Sequence, residues 1–260
     1  MRIAAGIEYS GQSYSGWQRQ ESVNSVQAEV EQAFSFVANE KIDVYCAGRT
    51  DAAVHATGQV IHFDTDAVRS ERSWLCGANT QLPRDIAVQW VKIVDEEFHA
   101  RFSALTRRYQ YYIYCGSARP GILSDNVTWC LQDLNLDAMQ AASNFLLGKH
   151  DFTSFRASQC QANTPVRTVH AMSWQRKGQL LMLDIRANAF LHHMVRNIVG
   201  LMLTVGKGEQ GAEWAKEILE AKNRELAPAT AASNGLYLVE VEYPSTFKLP
   251  AMRKSAWFDL

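Results

Sequence analysis

The stretch Gly48-Arg49-Thr50-Asp51 joins two runs, 42–46 and 59–63, in which apolar and polar residues alternate. Alternation of this kind is typical of half-buried strands, so Asp51 is predicted to lie in a turn near a strand end. If the backbone stays extended from Arg49 to Asp51, the two side chains project to the same side and share one pocket. The local pattern fits equally a turn in which Asp51 bonds nearby backbone amides while Arg49 is solvated.

The composition indicates a soluble chain with free thiols. Its 260 residues suffice for one large domain or two packed halves with a substantial core. The five cysteines include no close-spaced pair, which is typical of reduced cytosolic thiols rather than of disulfides or a metal knuckle. The chain begins with a strand-like segment, 2–9, instead of a signal segment, and its longest apolar run, 198–205, is about half a membrane span. We therefore predict a cytoplasmic protein outside the membrane.

The net charge of −1 does not by itself indicate a nucleic-acid partner, but the arginines are unevenly distributed. Arg101, Arg107 and Arg108 are interleaved with aromatic residues between 98 and 112, and Arg69 precedes them. Arginine beside aromatic rings suits phosphates and unstacked bases. The pattern is also consistent with a strand whose rings face inward and whose charges are solvated, and the local sequence leaves both interpretations open.

Hydrophobic periodicity predicts an α+β fold. Strands are predicted near 2–9, 42–47, 58–64, 86–94, 107–114 and 236–243, and in a hairpin over 169–186 that turns at Lys177-Gly178. Helices are predicted over 26–37, after Ser25 as N-cap, and over 136–147, 190–205 and 212–221. We expect an N-terminal half, 1–103, a C-terminal half, 104–243, and a tail, 244–260, whose Trp257 and Phe258 either dock on the body or are mobile.

The segment at the start of the predicted helix 190–205 contains two histidines and an arginine. Adjacent helical positions point about 100 degrees apart, so His192 and His193 are poorly placed to bind one ion, and the chain has no HExxH or CxxC motif. His192 and Arg196 would share a helix face. An arginine at the inner end of a largely apolar helix needs a carboxylate partner, for which Asp51 is a candidate.

Eight short segments, in order along the chain, together resemble the TruA family of tRNA pseudouridine synthases, also called the pseudouridine synthase I family. They are Tyr14-x-Gly16-Trp17-Gln18, Ser25-Val26-Gln27, Gly48-Arg49-Thr50-Asp51, Val54-His55-Ala56, Phe98-His99-Ala100-Arg101-Phe102, Arg108-Tyr109-x-Tyr111, Asp151-Phe152-x-Ser154-Phe155 and Asn188 to Asn197. One position departs from the family pattern, because Ala53 stands where glycine is usual. If φ is positive there, alanine costs on the order of 1 kcal/mol, so we expect either an alanine-compatible backbone or mild strain.

The resemblance implies a mixed, mainly antiparallel sheet flanked by helices, with two similar halves around a central active-site cleft. It implies a homodimer that needs neither a cofactor nor a catalytic metal. The implied reaction isomerises uridine to pseudouridine at positions 38, 39 and 40 of the tRNA anticodon stem-loop. The N1–C1′ bond breaks, the uracil rotates, and a C5–C1′ bond forms. A carboxylate could attack the sugar, add to the uracil ring, or remove a ribose proton to give a glycal, and the resemblance favours the glycal.

The resemblance also implies roles for single residues. Asp51 is the catalytic carboxylate, Arg196 is its basic partner, and Tyr109 stacks on the target base. Arg49 assists flipping of that base out of the stem, which costs a few kcal/mol. Further contacts with tRNA are implied for Arg69, Phe98, His99, Ala100, Arg101, Phe102, Gln159, Cys160, Gln161, Ala162 and Asn163.

Three other functions compete with this hypothesis. A non-catalytic tRNA-binding protein would be indicated by replacement of Asp51, which is present here. A nucleoside or glycoside hydrolase would pair Asp51 with Asp64 or Asp66 and would release free uracil. In a purely structural α/β protein the ordered motifs would be coincidental.

Overall fold

The computed structural model describes residues 1–251, which form two compact units. Of the described residues, the first unit contains Met1–Thr106 together with 237–251, and the second contains Arg107–Leu236. The prediction ended the first half nearby, at residue 103, but assigned the last strand to the second half. Each unit combines a mainly antiparallel sheet with helices, which confirms the predicted α+β class.

The first unit has a sheet of four main strands and a short fifth. In chain order its elements are β1 (Arg2–Tyr9), α1 (Val26–Ala38), β2 (Tyr45–Cys46), β3 (His55–Asp64), α2 (Glu71–Gln81), β4 (Ile86–Val94) and β10 (Leu236–Glu242). β1 pairs antiparallel with both β3 and β4. β10 runs parallel to the start of β3, and β2 pairs antiparallel with its later part. β3 is therefore a central strand, and all its residues except Asp64 are buried.

Two helices cover this sheet and pack closely on each other. The Ser25 side chain caps α1 by accepting a hydrogen bond from the backbone N–H of Ala28, as predicted. Gly77 of α2 approaches α1 so closely that a Cβ there would lie 2.8 Å from Val37 Cγ2. The rings of Phe34, Phe63 and Trp74 meet between the helices and the sheet, with centroids 4.8 to 6.1 Å apart.

α2 was not predicted. Only Trp74 and Ala78 of its eleven residues are buried, so its apolar stripe is too sparse to show a helical period. Gly77 weakens the helical pattern further, although the close approach to Val37 requires it. The Ser70 side chain, which accepts a hydrogen bond from the backbone N–H of Ser73, was the available start signal.

The second unit is built on an antiparallel sheet in the order β5-β9-β8-β7, with β6 parallel to β5. Its elements are β5 (Thr106–Cys115), β6 (Thr128–Cys130), α3 (Leu136–Asn144), β7 (Gly148–Asp151), β8 (Val166–Lys177), β9 (Leu180–Ala187), α4 (Met194–Gly206) and α5 (Trp214–Ala221). The hairpin of β8 and β9 turns through Gly178, where φ is +59°. This agrees with the predicted turn at Lys177-Gly178.

Two predicted elements begin or end elsewhere. α4 starts at Met194 rather than Phe190, because His193 has φ +63° and so interrupts a right-handed helix. His192 therefore lies outside the helix, and the prediction that it shares a helix face with Arg196 is wrong. The predicted strand 42–47 pairs only over Tyr45–Cys46.

The described part of the tail packs on the first unit. The Phe98 ring lies 5.1 Å from both the Tyr243 ring and the Phe247 ring, between their centroids. Leu249 packs against the same buried cluster. Trp257 and Phe258 lie outside the described residues. Within 1–251, no helix combines the length and the apolar character that a bilayer crossing requires.

Candidate active site

The Asp51 loop is held by hydrogen bonds to both sides of Thr50. The Thr50 hydroxyl lies 2.7 Å from the hydroxyl of Tyr9 at the end of β1, and the Thr50 carbonyl accepts a hydrogen bond from the Trp17 N–H at 3.0 Å. All three residues are buried. Asp51 thus follows a residue whose side chain and backbone are both fixed to the core, which restricts where its carboxylate can point.

A buried glutamine holds the beginning of the loop. Gln59 of β3 is fully buried, and its side-chain amide donates to the Gly48 carbonyl at 2.6 Å. Its carbonyl oxygen accepts from the N–H of Gly48 at 3.4 Å and of Val60 at 3.2 Å. The amide therefore substitutes for a missing strand partner at the point where the chain leaves β2, since buried backbone groups must be paired.

Gly16 lies directly against the Asp51 loop. Its φ is +100°, and a Cβ built on it would lie 2.7 Å from the Thr50 carbonyl oxygen and 3.1 Å from the Asp51 carbonyl carbon. Both neighbours are backbone atoms, which cannot move aside as a flexible side chain could. Only glycine allows this approach of two chain segments.

The loop closes in a tight turn after the carboxylate. The Asp51 carbonyl accepts a hydrogen bond from the Val54 N–H at 3.2 Å, and the Ala53 N–H donates to the Tyr14 carbonyl at 3.3 Å. Asp51 is half-buried and Arg49 is exposed. Ala53 has φ +59°, so of the two alternatives expected at this position, an alanine-compatible backbone or mild strain, the backbone favours mild strain.

Replacing Ala53 by glycine is expected to stabilise the protein by about 0.5–1 kcal/mol, because glycine adopts positive φ without the Cβ penalty, although it also gains entropy when unfolded. Urea unfolding monitored by circular dichroism measures the difference. The neighbouring Ala52→Gly substitution is the control. Ala52 is exposed and is absent from the positive-φ residues, so glycine there should cost a few tenths of a kcal/mol or more. Equal destabilisation by both changes would contradict strain at Ala53.

The segment 98–102 follows β4 in the first unit, where its side chains alternate between core and surface. Phe98 and Ala100 are fully buried, whereas Arg101 and Phe102 are exposed. The Arg101 guanidinium carbon lies 5.6 Å from the centroid of the Phe102 ring, within the range of a cation–π contact. His99 is partly exposed. Of this predicted RNA-binding segment, His99, Arg101 and Phe102 are therefore the residues that a ligand could reach.

Arg69 is exposed just before α2, and its guanidinium donates to the Val68 carbonyl at 3.0 Å.

Arg49 and Arg101 both affect the Cys46 thiol. Burial raises the pKa of this thiol to about 12, and the positive charges of Arg49 and Arg101 oppose that rise. Both guanidinium groups therefore lie near the end of β2. These are two of the predicted RNA-binding arginines, and both belong to the first unit.

Tyr109 belongs to the second unit, on β5. It is buried and packs edge-on against Phe190, with ring centroids 5.0 Å apart. Its neighbour Arg108 forms a two-pronged ion pair with Asp184 of β9, with nitrogen–oxygen distances of 2.7 and 2.6 Å. Arg107 is buried and donates to the Asn188 carbonyl at 3.1 Å. These two arginines therefore make contacts inside the fold.

Arg196 lies in the first turn of α4, where the chain fixes it by two hydrogen bonds. Its Nε donates to the Ala231 carbonyl at 2.9 Å, and the Ala231 N–H donates to the Arg196 carbonyl at 3.1 Å. The next residue, Asn197, is buried; its amide donates to the Phe155 carbonyl at 2.8 Å and its oxygen accepts from Thr230 at 2.7 Å. The start of α4 is thus fixed both to Phe155, which precedes it in the chain, and to residues 230–231, which follow it.

The predicted RNA-binding loop 159–163 folds around one arginine. Arg156 donates to the carbonyl of Cys160 at 2.6 Å and of Ala162 at 2.9 Å, while Gln159, Gln161 and Asn163 are exposed. Burial alone would raise the pKa of the Cys160 thiol. Hydrogen bonds from the Ala162 and His192 N–H groups and from Arg156 have the opposite effect and outweigh burial, so the pKa of Cys160 lies below its ordinary value.

The residues that position the loop were not predicted. Gln59 has the pattern of a polar position in an alternating strand, and Tyr9 has that of an ordinary first strand. The sequence around Gly16 does not indicate that it approaches the Asp51 loop. The polar residues of β3 were the available signal, but their burial follows only from the strand order.

Comparison with known proteins gives a consistent result over almost the whole chain. A family model described as tRNA pseudouridine synthase matches residues 5–103 and 142–244. A protein named tRNA pseudouridine synthase A from Mannheimia succiniciproducens is 58% identical over 252 residues, which is 97% of this chain and 96% of that protein. Its namesake from Haemophilus influenzae strain PittGG is 57% identical over 250 residues, covering 96% and 93%. The one from Shewanella piezotolerans is 56% identical over all 260 residues of both.

Proposed function

Because this chain belongs to the tRNA pseudouridine synthase A family, we propose that it isomerises uridine at positions 38, 39 and 40 of the tRNA anticodon stem-loop, with Asp51 as the reacting carboxylate. Membership makes the protein an isomerase that acts on tRNA. The observation that carries the role of Asp51 is the loop itself. Trp17, Gly16 and Gln59 contact backbone next to this half-buried carboxylate, and Tyr9 holds the Thr50 side chain. Such pre-organisation of a reactive group is typical of a catalytic site.

The proposed reaction is an isomerisation that needs no second reactant. In the glycal route Asp51 removes the C2′ proton while the N1–C1′ bond breaks, and the electrons of that bond leave with uracil. The uracil rotates, C5 bonds to C1′, and the proton returns to C2′. The proton on C5 is then lost to solvent and N1 gains one, so the product is an isomer of the substrate. Attack on the sugar or on the uracil ring remains an alternative course for the same carboxylate.

Arg196 and Tyr109 complete the proposed catalytic set, as basic partner and as stacking ring. The role of Arg196 as basic partner is supported by the two hydrogen bonds that fix it at the start of α4. The role of Tyr109 as stacking ring is supported by its edge-on contact with Phe190, which keeps the Tyr109 ring plane in one orientation. An aromatic face tolerates rotation of a released base, whereas a fixed hydrogen bond would oppose it. The proposal also includes a homodimer in the cytoplasm, where five free cysteines are stable.

One alternative, a hydrolase using Asp64 as a second acid, is disfavoured by contacts of Asp64. Its carboxylate accepts two hydrogen bonds from Arg2, at 2.8 and 2.7 Å. The hydrogen bond from Arg2 holds the pKa of Asp64 below its ordinary value. A general acid in glycoside hydrolysis needs the opposite shift.

The test of the proposed function is direct. The purified protein, without added cofactor, is incubated with an unmodified tRNA transcript bearing uridines at 38 to 40, and pseudouridine is mapped chemically. We expect modification at these three positions alone. Tight binding without modification would favour a non-catalytic RNA-binding protein, and release of free uracil would favour a hydrolase.

Replacing Arg49 by alanine is expected to slow modification more when the target uridine is paired than when it is already unpaired. The reason is that Arg49 is proposed to assist flipping, which costs a few kcal/mol only for a paired base. Two transcripts that differ in the base opposite position 39 provide the comparison under single-turnover conditions. We expect the loss on the paired substrate to exceed the other by about 10- to 100-fold.

The exposed Arg84 of the same unit gives a matched control for removal of one positive charge. Arg84→Ala should affect the two transcripts equally. Equal losses on both substrates with Arg49→Ala would show that Arg49 contributes charge alone and does not act in flipping.

A further inference from the structure

Four rings of the first unit form a cluster, the ring cluster. Tyr45 of β2 is directly opposite His62 of β3, and their rings stack with centroids 5.1 Å apart. The His99 ring contacts both, with its centroid 4.4 Å from that of His62 and 5.7 Å from that of Tyr45, and the Phe102 ring lies 4.3 Å from His99. Opposed residues on paired strands share a face of the sheet, so strand pairing brings Tyr45 and His62 together, and the segment 98–102 supplies His99 and Phe102.

The two histidine rings of the cluster are held neutral. His62 Nδ1 accepts a hydrogen bond from the Ala100 N–H at 3.2 Å, and His99 Nδ1 accepts from the N–H groups of Arg101 and Phe102 at 3.1 and 3.3 Å. A nitrogen that accepts carries no proton. Burial, together with the nearby His99 and Arg2, lowers the pKa of His62 to about 4. At neutral pH both histidine rings are therefore uncharged, and because His62 is buried, the accessible faces of the cluster belong to the other three rings.

Two rings of the cluster are open to solvent. Tyr45 is 56% exposed and Phe102 is 76% exposed, although each packs on a histidine ring. Exposed rings clustered in this way favour a binding surface, whereas a single exposed apolar side chain is common on any protein. Phe36 on α1 is such a single ring, 67% exposed and without a ring contact among the described residues.

The charges around the ring cluster favour a nucleic acid as the partner. Arg101 lies against the Phe102 ring, and the positive charges of Arg101 and Arg49 both reach Cys46, which follows Tyr45. Flat ring faces beside guanidinium groups match a nucleobase and its phosphate, since bases stack on aromatic side chains and phosphates pair with arginine. An apolar protein partner would gain from the rings but not from the arginines.

We propose that the ring cluster of Tyr45, His62, His99 and Phe102 is a stacking surface for an unpaired base of the tRNA, and that Tyr45 is one of its two exposed contact rings. The inference rests on the proposed function and adds Tyr45, beside the Asp51 loop, to the residues that position the substrate. Base–aromatic stacking is tolerant of sequence, because every base has a π-face. A stack of this kind would hold tRNAs of different loop sequence in one register.

The experiment measures tRNA affinity without turnover, using a transcript in which uridines 38 to 40 are replaced by cytidine. Tyr45→Ala should weaken binding about 5- to 150-fold, the range for loss of one stacked base. The slope of log affinity against log salt should stay unchanged, because no phosphate contact is lost. Placing 2-aminopurine at each unpaired loop position in turn should reveal one position whose fluorescence is quenched by the wild-type protein and recovers with Tyr45→Ala.

Two further variants test whether the Tyr45 ring itself makes the contact. Tyr45→Phe keeps the ring and should bind like the wild type, and Phe36→Ala removes an isolated exposed ring and should also leave affinity unchanged. The proposal is wrong if Tyr45→Ala binds normally, if Tyr45→Phe loses as much, or if Tyr45→Ala changes the oligomeric mass in light scattering. The last outcome would indicate that the ring cluster contacts a second copy of the protein. Absence of pseudouridine with the natural transcript would contradict the proposed function without affecting this binding test.

Discussion

Replacing Asp51 by asparagine is expected to abolish pseudouridine formation while tRNA binding is retained. Asparagine has nearly the shape of aspartate, so the turn closed by the Asp51 carbonyl and the Val54 N–H should persist. It has no carboxylate, however, and can neither accept the ribose proton nor attack the sugar or the base. Loss of such a group lowers the rate by about 10⁴-fold or more. Single-turnover modification and a filter-binding assay on the same preparation measure the two quantities.

Asp66→Asn is the matched control for this experiment. Asp66 is an exposed carboxylate of the same unit, and a hydrolase could use it as a second acid. The proposed isomerisation does not involve it, so Asp66→Asn should leave modification unchanged. The role of Asp51 would be contradicted if a folded Asp51→Asn protein lost tRNA binding as well, or if it still formed pseudouridine at the wild-type rate.

Replacing Gly16 by alanine is expected to damage both stability and catalysis, although Gly16 carries no reactive group. The new Cβ would lie 2.7 Å from the Thr50 carbonyl oxygen at a φ of +100°, so backbone must move. Strain and overpacking together should cost about 2–4 kcal/mol of unfolding free energy. A shift of the Asp51 loop by a fraction of an ångström to one ångström should lower the rate on the order of 10²-fold. Urea unfolding and single-turnover kinetics measure these effects.

Gly208→Ala distinguishes the two costs. Gly208 also has a positive φ, +75°, but a Cβ there would meet nothing within 4 Å. It should therefore lose about 1 kcal/mol through backbone strain alone and keep its activity. If Gly16→Ala lowered stability and activity no more than Gly208→Ala, the close approach of Gly16 to the Asp51 loop would not contribute to either.

Much of the fold follows from local sequence signals. The first strand, the cap at Ser25 and the β8–β9 hairpin were predictable because alternation, capping and turn chemistry are properties of neighbouring residues. α2 was not predictable, because only Trp74 and Ala78 face the core and the helix is stabilised by its contact with α1. That contact depends on residues distant in the sequence.

The candidate site was predictable only in its reactive group. Asp51 and Arg49 stand out in the local pattern, whereas Gln59 resembles any polar residue of a half-exposed strand. β3 is in fact covered on both faces, so its polar side chains must find partners inside, and Gln59 finds Gly48. A strand's position within a sheet is set by the whole topology. No window of sequence around Gln59 contains that information.

The parallel pairing of β10 with β3 has a consequence for the order of events during synthesis. Tyr237 lies beside His55, immediately after the Asp51 loop, and their rings stack at 4.6 Å. The ribosome must therefore produce the whole second unit before the strand that borders the reactive loop exists. Until then the start of β3 is an unpaired edge, open to association with other nascent chains. The second unit, by contrast, is continuous and available in full at an earlier stage of translation.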